Sequence, residues 1–404
     1  MTRIIVLGTS LAEPVTALEE KLASLPVVFG PKRWRSRIRH RDFRAWPSPF
    51  SNALDEIAAV ARENAEIGVV ATGDPLHFGI ARALVRRFGA DAVEVHPAPS
   101  SFSLACARLG WAQEDVGCLS LHGGPGNGRG VEALSQWIAP GRRLVVLSEH
   151  DGTPRETAEW LLHRGFGDSR LHVLGNMGGE GEWRWDGRAT DPQPADIPSF
   201  NTLAIDCRAG GRSEWLPLTG GLPDGSYAHD GQLTKSDVRA LVISRLRPRP
   251  GGKLWDIGAG CGSVGIEWLR LSPGGAVHAV ERDEKRVALV VRNAEAFGLA
   301  HLSVVHGDSP EALADLPEPD AIFMGGGLSD PRGFEACWAA LPEGGTLCAT
   351  AVTLEGEARL AQLHAEHGGS LVRVSTATVE EVGRFRGWRP AMPVTLWSVE
   401  RSGR

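Results

Sequence analysis

The chain has 404 residues, 42% of them hydrophobic and 23% charged, with a formal net charge of −6. That length suits two or three domains rather than one, and the acidic balance argues against nucleic acid or an anionic membrane as a general partner. No apolar run approaches the roughly 18 residues that a membrane span needs. The opening Ile4-Ile5-Val6-Leu7 is too short for a signal-peptide core and reads as a buried first strand. Six scattered cysteines, with no C-x-x-C pair and no clustered histidines, suggest neither a disulfide framework nor a metal site. A cytoplasmic protein is expected.

Short apolar strands alternate with amphipathic stretches along the chain, the pattern of an α/β fold. In the first half, strands are predicted at 4–7, 27–29, 68–71, 92–95, 119–121, 144–147, 171–174 and 202–205. Helical patterns there cover 52–64, 79–88 and 157–164. Residues 209–231 hold Gly210-Gly211, Gly220-Gly221, Pro217, Pro223 and Gly225 with few periodic apolar positions, and read as an interdomain linker. Strands then resume at 253–257, 276–280, 302–305, 321–324, 346–350, 371–376 and 394–399. Helices between the first five of these predict one doubly wound sheet whose last pair is antiparallel.

The richest stretch is Leu254-Trp255-Asp256-Ile257-Gly258-Ala259-Gly260-Cys261-Gly262-Ser263-Val264-Gly265-Ile266-Glu267. An apolar strand runs into alternate glycines, whose missing Cβ atoms let backbone approach a ligand, and then into a helix with free N–H groups. A tight turn without ligand is one reading. A dinucleotide site is a second, but its G-x-G-x-x-G needs glycine where Ser263 stands. The third is an S-adenosylmethionine site, with its acidic-x-G-x-G-x-G pattern. Three further strand ends favour it: Glu281, able to accept from ribose hydroxyls; Gly307-Asp308-Ser309, able to meet an adenine edge; and Gly325-Gly326-Gly327, leaving room at the carboxyl ends.

The segment Ala228-His229-Asp230-Gly231-Gln232-Leu233-Thr234-Lys235-Ser236-Asp237-Val238-Arg239, followed by the glycine loop, resembles the decarboxylating methyltransferase module of cobalamin biosynthesis. Val70-Ala71-Thr72-Gly73-Asp74-Pro75-Leu76-His77-Phe78-Gly79, Pro97-Ala98-Pro99-Ser100-Ser101-Phe102-Ser103 and Leu119-Ser120-Leu121-His122-Gly123 resemble the tetrapyrrole methylase family. Fused in this order, the halves are similar to the bifunctional precorrin-6Y methyltransferases. The resemblance implies a two-lobed tetrapyrrole methylase module over 1–208, split near 112–118, and a Rossmann-like doubly wound methyltransferase sheet over 232–404. It also implies S-adenosyl-L-methionine in each module, methylation of a precorrin at ring carbons 5 and 15, loss of the ring C acetate carboxyl as carbon dioxide, and a homo-oligomer.

By position, the resemblance assigns cofactor contacts to Thr234, Gly258, Ala259, Gly260, Cys261, Gly262, Glu281, Asp308 and Ser309 in the second half. In the first half it assigns them to Gly73, Asp74 and Ser101, with Ser100 and His122 nearby. One departure stands out. The family's G-x-G-P-G loop after the first strand is here Gly8-Thr9-Ser10-Leu11-Ala12-Glu13-Pro14, keeping only the first glycine.

Methyl transfer from a sulfonium needs a nucleophilic carbon held in line. A reduced tetrapyrrole supplies that carbon, so no protein nucleophile is required, and the acid for decarboxylation is unassigned; Glu267 and His229 carry no firm role. Carboxylate-rich substrates call for arginine forks. Arg33, in the basic run 32–44, together with Arg386, Arg389 and Lys235, are the substrate candidates. Their alternatives are a solvated basic segment, a capped sheet edge and a first-turn helix residue. Asp74 either binds cofactor or holds the turn before Pro75. Rival functions are an RNA methyltransferase and a non-catalytic cofactor-binding regulator.

Overall fold

The computed structural model describes residues 2–11, 15–47, 52–122, 130–211, 213–328 and 330–402. Its chain divides into two units, residues 1–122 with 139–214, and residues 123–138 with 215–404. Each predicted strand forms.

The first unit opens with β1 (Arg3–Thr9), α1 (Val15–Leu22), β2 (Val28–Gly30), β3 (Phe43–Ala45), α2 (Ala53–Ala61), β4 (Glu66–Thr72), α3 (Ala81–Phe88) and β5 (Val93–His96). These strands make one parallel sheet in the order β3-β2-β4-β1-β5. Central β1 and β4 are apolar on both faces, with Ile4, Val6, Ile67, Val69 and Val70 fully buried, as a sheet covered on both sides requires. Helix α4 (Ser101–Leu109) follows, its first turn capped by the Ser100 hydroxyl, which accepts from the Ser103 N–H.

The second sheet of this unit contains β6 (Val116–Ser120), β7 (Arg143–Leu147), β8 (Arg170–Gly175), β9 (Trp183–Arg188) and β10 (Asn201–Asp206), with α5 (Thr153–His163) between β7 and β8. Its order is β6-β7-β10-β8-β9, antiparallel except for the β6–β7 pair. β3 and β9 are absent from the sequence expectation. β3 spans three residues at the end of the basic run, and β9 is an edge strand alternating half-buried and exposed side chains, so neither carries an apolar run.

The second unit holds α6 (Ser236–Leu246), β11 (Lys253–Ile257), α7 (Ser263–Arg270), β12 (Ala276–Glu281), α8 (Glu284–Ala296), β13 (Ser303–His306), β14 (Ala321–Met324), α9 (Pro331–Ala340), β15 (Thr346–Ala351), α10 (Leu354–His367), β16 (Ser370–Val374), β17 (Ala377–Val382), β18 (Phe385–Pro390) and β19 (Val394–Glu400). Its seven-stranded sheet runs β13-β12-β11-β14-β15-β19-β16. The first five strands are parallel, and β19 lies antiparallel to both β15 and β16, as the sequence predicts. Apolar clusters fill both faces, one under α6, α7 and α8 and one under α9 and α10.

Two findings refine the sequence reading. The stretch joining β16 to β19 is a β17–β18 hairpin forming its own two-stranded sheet. It escapes a pattern search because all six β17 side chains are exposed. Residues 215–231, which composition reads as linker, group with the second unit. There Arg270 donates to the carbonyls of Leu216 and Pro217, and Leu222 and Tyr227 are buried in the α6–α7 core.

Candidate functional site

Strand order places β11 beside both β12 and β14, so the chain reverses its winding direction between β11 and β14. A crevice opens outside the carboxyl ends of strands at such a point. A cavity of about 260 Å³ lies there, walled by Gly258, Glu281, Gly307-Asp308-Ser309 and Gly325-Gly326-Gly327. The four strand ends singled out in sequence therefore converge on one space.

Of the loop residues 258–262 only Gly258 borders this cavity, so Ala259, Gly260, Cys261 and Gly262 shape the turn behind it rather than line it. Gly258, Gly260 and Gly262 have φ of +67°, +61° and +80°, the left-handed region that favours glycine. A Cβ on Gly258 would stand 2.9 Å from the Gly326 nitrogen and 3.0 Å from its Cα. The β11 and β14 turns thus touch backbone to backbone, a cradle that any side chain would fill.

Glu281 is 5% exposed at the tip of β12. Its Oε2 accepts from the Gly260 N–H at 2.9 Å, and its Oε1 accepts from the Arg282 and Asp283 amides at 3.0 Å each. A carboxylate oxygen has two lone pairs, so this arrangement leaves an open position on Oε2. That narrows the expectation of a carboxylate free to take two hydroxyls. Asp256 sits behind the loop, 0% exposed, with Oδ2 accepting from the Gly265 N–H at 2.9 Å and Oδ1 unpartnered. Burial pushes its carboxyl up to about 7.

Asp308 also borders the cavity, its exposed carboxylate 3.7 Å from Arg282. Ser309 is buried, 8% exposed. Ala259 is half-buried, and Cys261 is buried in the core, where desolvation raises its thiol pKa. Thr234 accepts from the Arg239 guanidinium through its carbonyl. Lys235 occupies the N-cap of α6 and pairs with Asp224 at 3.5 Å. Neither Thr234 nor Lys235 borders the cavity, whereas Gln232 and Arg286, missing from the sequence expectation, do. Arg386 and Arg389 lie on exposed β18, with Arg389 paired to Glu380 at 2.9 Å, and do not border the cavity.

In the first unit, Thr72, Gly73 and Ser101 meet Ser10, Asn176, Phe200 and Asn201 around a small cleft. Gly73 has φ of +75°, and its N–H donates to the Thr9 carbonyl at 2.7 Å. Gly8 packs against the same turn so closely that a Cβ would stand 2.6 Å from the Gly73 oxygen. The surviving glycine of the first loop thus supports the 73–75 turn directly. Asp74 Oδ1 accepts from the Leu76 N–H at 2.8 Å, the turn-holding role. Arg33 is anchored: it donates to the Thr72 hydroxyl at 3.0 Å and stacks over the Phe200 ring at 4.2 Å. Both of those partners line the cleft. His122 is exposed, while Gly123 and Ala12-Glu13-Pro14 lie outside the described residues.

Comparison with known proteins identifies the family. Residues 12–192 match the family model described as tetrapyrrole (corrin/porphyrin) methylases, and residues 225–401 match the precorrin methyltransferase domain. A precorrin-6Y C(5,15)-methyltransferase (decarboxylating) of Sinorhizobium sp is 42% identical over 93% of this chain and 90% of its own length. Its namesake in Mycobacterium tuberculosis (strain CDC 1551 / Oshkosh) is 40% identical over 98% of this chain and 100% of its own. The crystallised C-terminal domain of the Rhodobacter capsulatus precorrin-6Y C5,15-methyltransferase is 43% identical, covering 46% of this chain and 100% of that one, with a TM-score of 0.44. The chain belongs to the precorrin-6Y C(5,15)-methyltransferase (decarboxylating) family.

Proposed function

We propose that the chain methylates precorrin-6Y at ring carbons 5 and 15 and releases the ring C acetate carboxyl as carbon dioxide, giving precorrin-8 in cobalamin biosynthesis. The observation that carries this reading is the convergence of Gly258, Glu281, Asp308 and the 325–327 glycines at the switch point of the second sheet. S-Adenosylmethionine, when bound, supplies an electrophilic methyl group on a sulfonium. The protein's share is to bind and orient. The Gly258–Gly326 contact leaves space that a side chain would take, and Glu281, held by three amides, offers an open acceptor position to a ribose hydroxyl.

We read the first unit as a second cofactor site, one in each module, around the left-handed Gly73 turn and Ser101. Arg33, fixed by Thr72 and Phe200 beside that cleft, is placed to fork a substrate carboxylate. On the same reading the modules are 1–208 and 232–404, with residues 215–231 packed onto the second rather than spanning freely between them. The chain is read as homo-oligomeric through its β17–β18 hairpin, where Phe385 is 66% exposed and Trp388 74% exposed; a second copy would cover them. The six free cysteines suit a reducing cytoplasm. No helix among the described residues is long and apolar enough to cross a membrane.

Incubation with reduced precorrin and labelled donor, followed by mass analysis, tests the activity. Two methyls gained and one carbon dioxide lost is the expected product. An unchanged precorrin, with label transferred to RNA, would overturn the reading.

A further inference from the structure

Residues 221–235 cross the glycine loop as a strap, and the Gln232 carbonyl lies 3.5 Å from where a Gly260 Cβ would stand. Three anchors hold it. At its base, the fully buried Arg239 and Glu267 pair at 2.6 Å, and Glu267 also accepts from the Gly221 and Leu222 amides and the Tyr227 hydroxyl. Arg239 donates on to the Leu222 and Thr234 carbonyls. At its tip, Arg286 donates to Asp230 at 2.9 Å and to the Gln232 side chain at 2.7 Å.

The middle anchor is Asn293. It is 2% exposed on the inward face of α8, in line with Val290, Ala294 and Phe297, positions where an unpaired amide would be costly. Instead its polar groups are used. Its Oδ1 accepts from the Ala228 N–H at 2.8 Å, and its Nδ2 donates to the Ala228 and Cys261 carbonyls at 2.9 Å each. Two carbonyls and one N–H permit only this orientation of the side-chain amide. One side chain therefore joins the strap to the glycine loop.

We propose that Asn293 is a positioning residue for the methyl donor, fixing the strap and the glycine loop relative to each other so that Gln232 and Gly258 present one preformed wall of the cavity. It touches no reacting atom and acts through Ala228 and Cys261. A preformed wall spares the ordering cost that binding otherwise incurs, so loosening it weakens donor affinity as well as stability. This inference rests on the cavity being the donor site.

The test uses the full chain and reads the site locally, by titrating S-adenosylmethionine against hydrogen exchange of the peptide carrying residues 258–270. Asn293→Leu keeps bulk and removes all three hydrogen bonds. It should raise the local Kd by about tenfold or more and speed exchange around Ala228 before donor is added. Leu363→Ala, a fully buried truncation in the opposite core, should lower Tm and leave the local Kd unchanged. Asp230→Ala, at the exposed strap tip, should raise it by about threefold without threatening the fold. Wild type that shows no donor-dependent protection of 258–270 overturns the site itself. Wild type that is protected, with Asn293→Leu matching its Kd, overturns the role of Asn293 alone. If Asn293→Leu does not fold, Asn293→Ser, which shortens the side chain and breaks the Ala228 and Cys261 bonds without adding an apolar group, takes its place, and an unchanged local Kd there overturns the role.

Discussion

The Gly260 amide donates to Oε2 of Glu281 at 2.9 Å, tying the loop after β11 to the tip of β12. The carboxylate is thereby oriented before any ligand arrives. Glu281→Gln replaces one acceptor oxygen with a donor and removes the charge. A hydrogen bond to a charged group contributes roughly 1.5–3 kcal/mol, so donor affinity of the second unit should fall about ten- to hundredfold. Isothermal titration measures it, and an unchanged affinity would show that Glu281 makes no such contact.

Family resemblance gives carbon 5 to the first unit and carbon 15 with the decarboxylation to the second. Gly8 and Gly258 lie at the glycine turns of these different units, so their substitution should separate the two methylations. Gly258→Ala puts a Cβ 2.9 Å from the Gly326 nitrogen at a φ of +67°. Its product should carry one added methyl and keep the acetate carboxyl. Gly8→Val presses on the Gly73 oxygen, 2.6 Å from the Cβ position, and should block the carbon-5 methylation while sparing carbon 15. Mass spectra of the two products decide. Loss of both activities in both variants would argue against separate sites.

Asp256 should leave a signature in stability against pH. Burial raises its folded carboxyl to about 7, against about 3.9 in an unfolded chain. Between those values the folded state binds the extra proton, so stability from this group is present below about pH 4 and is lost as pH rises toward 7. Asp256→Asn, whose side-chain oxygen can still accept from Gly265, should show a flatter Tm across that window than wild type. Parallel profiles would mean that Asp256 stays ionised.

The Arg239–Glu267 pair predicts a large structural effect. Both side chains are 0% exposed, and removing one partner of a buried pair costs about 3–5 kcal/mol. Glu267→Leu and Arg239→Met should each lower the denaturation midpoint sharply, and the double variant should lose less than their sum. Additive losses would show that the two do not act as a unit.

Sedimentation of a Phe385→Glu, Trp388→Glu variant tests the assembly. The wild type should sediment as an oligomer and the variant as a smaller species, since charge on an exposed hairpin face that a second copy would cover opposes association. Identical sedimentation would place the interface elsewhere.

How much of this was legible in the sequence depends on which residues announce themselves locally. Alternating glycines after an apolar strand and an acid at the end of the next are local patterns, and Gly258, Glu281 and Asp308 meet as their spacing implied. Long-range pairings leave no such trace. Glu267 looks like any helical glutamate until Arg239 and the 221–227 backbone close around it. Residues 215–231 read as linker because glycine and proline signal loops without saying whether a loop is bolted down. Asn293 did carry a signal, a polar residue at an inward helical position beside Val290 and Phe297, but its meaning needed the Ala228 and Cys261 partners. The β17–β18 hairpin has no buried face and so no period to read.

We propose that each unit holds its own methyl-donor site. Equilibrium binding of S-adenosylhomocysteine to the full chain measures this directly. Two molecules per chain in wild type, falling to one in Gly258→Ala with the remaining affinity unchanged, is the expected result. A single molecule per wild-type chain would contradict it.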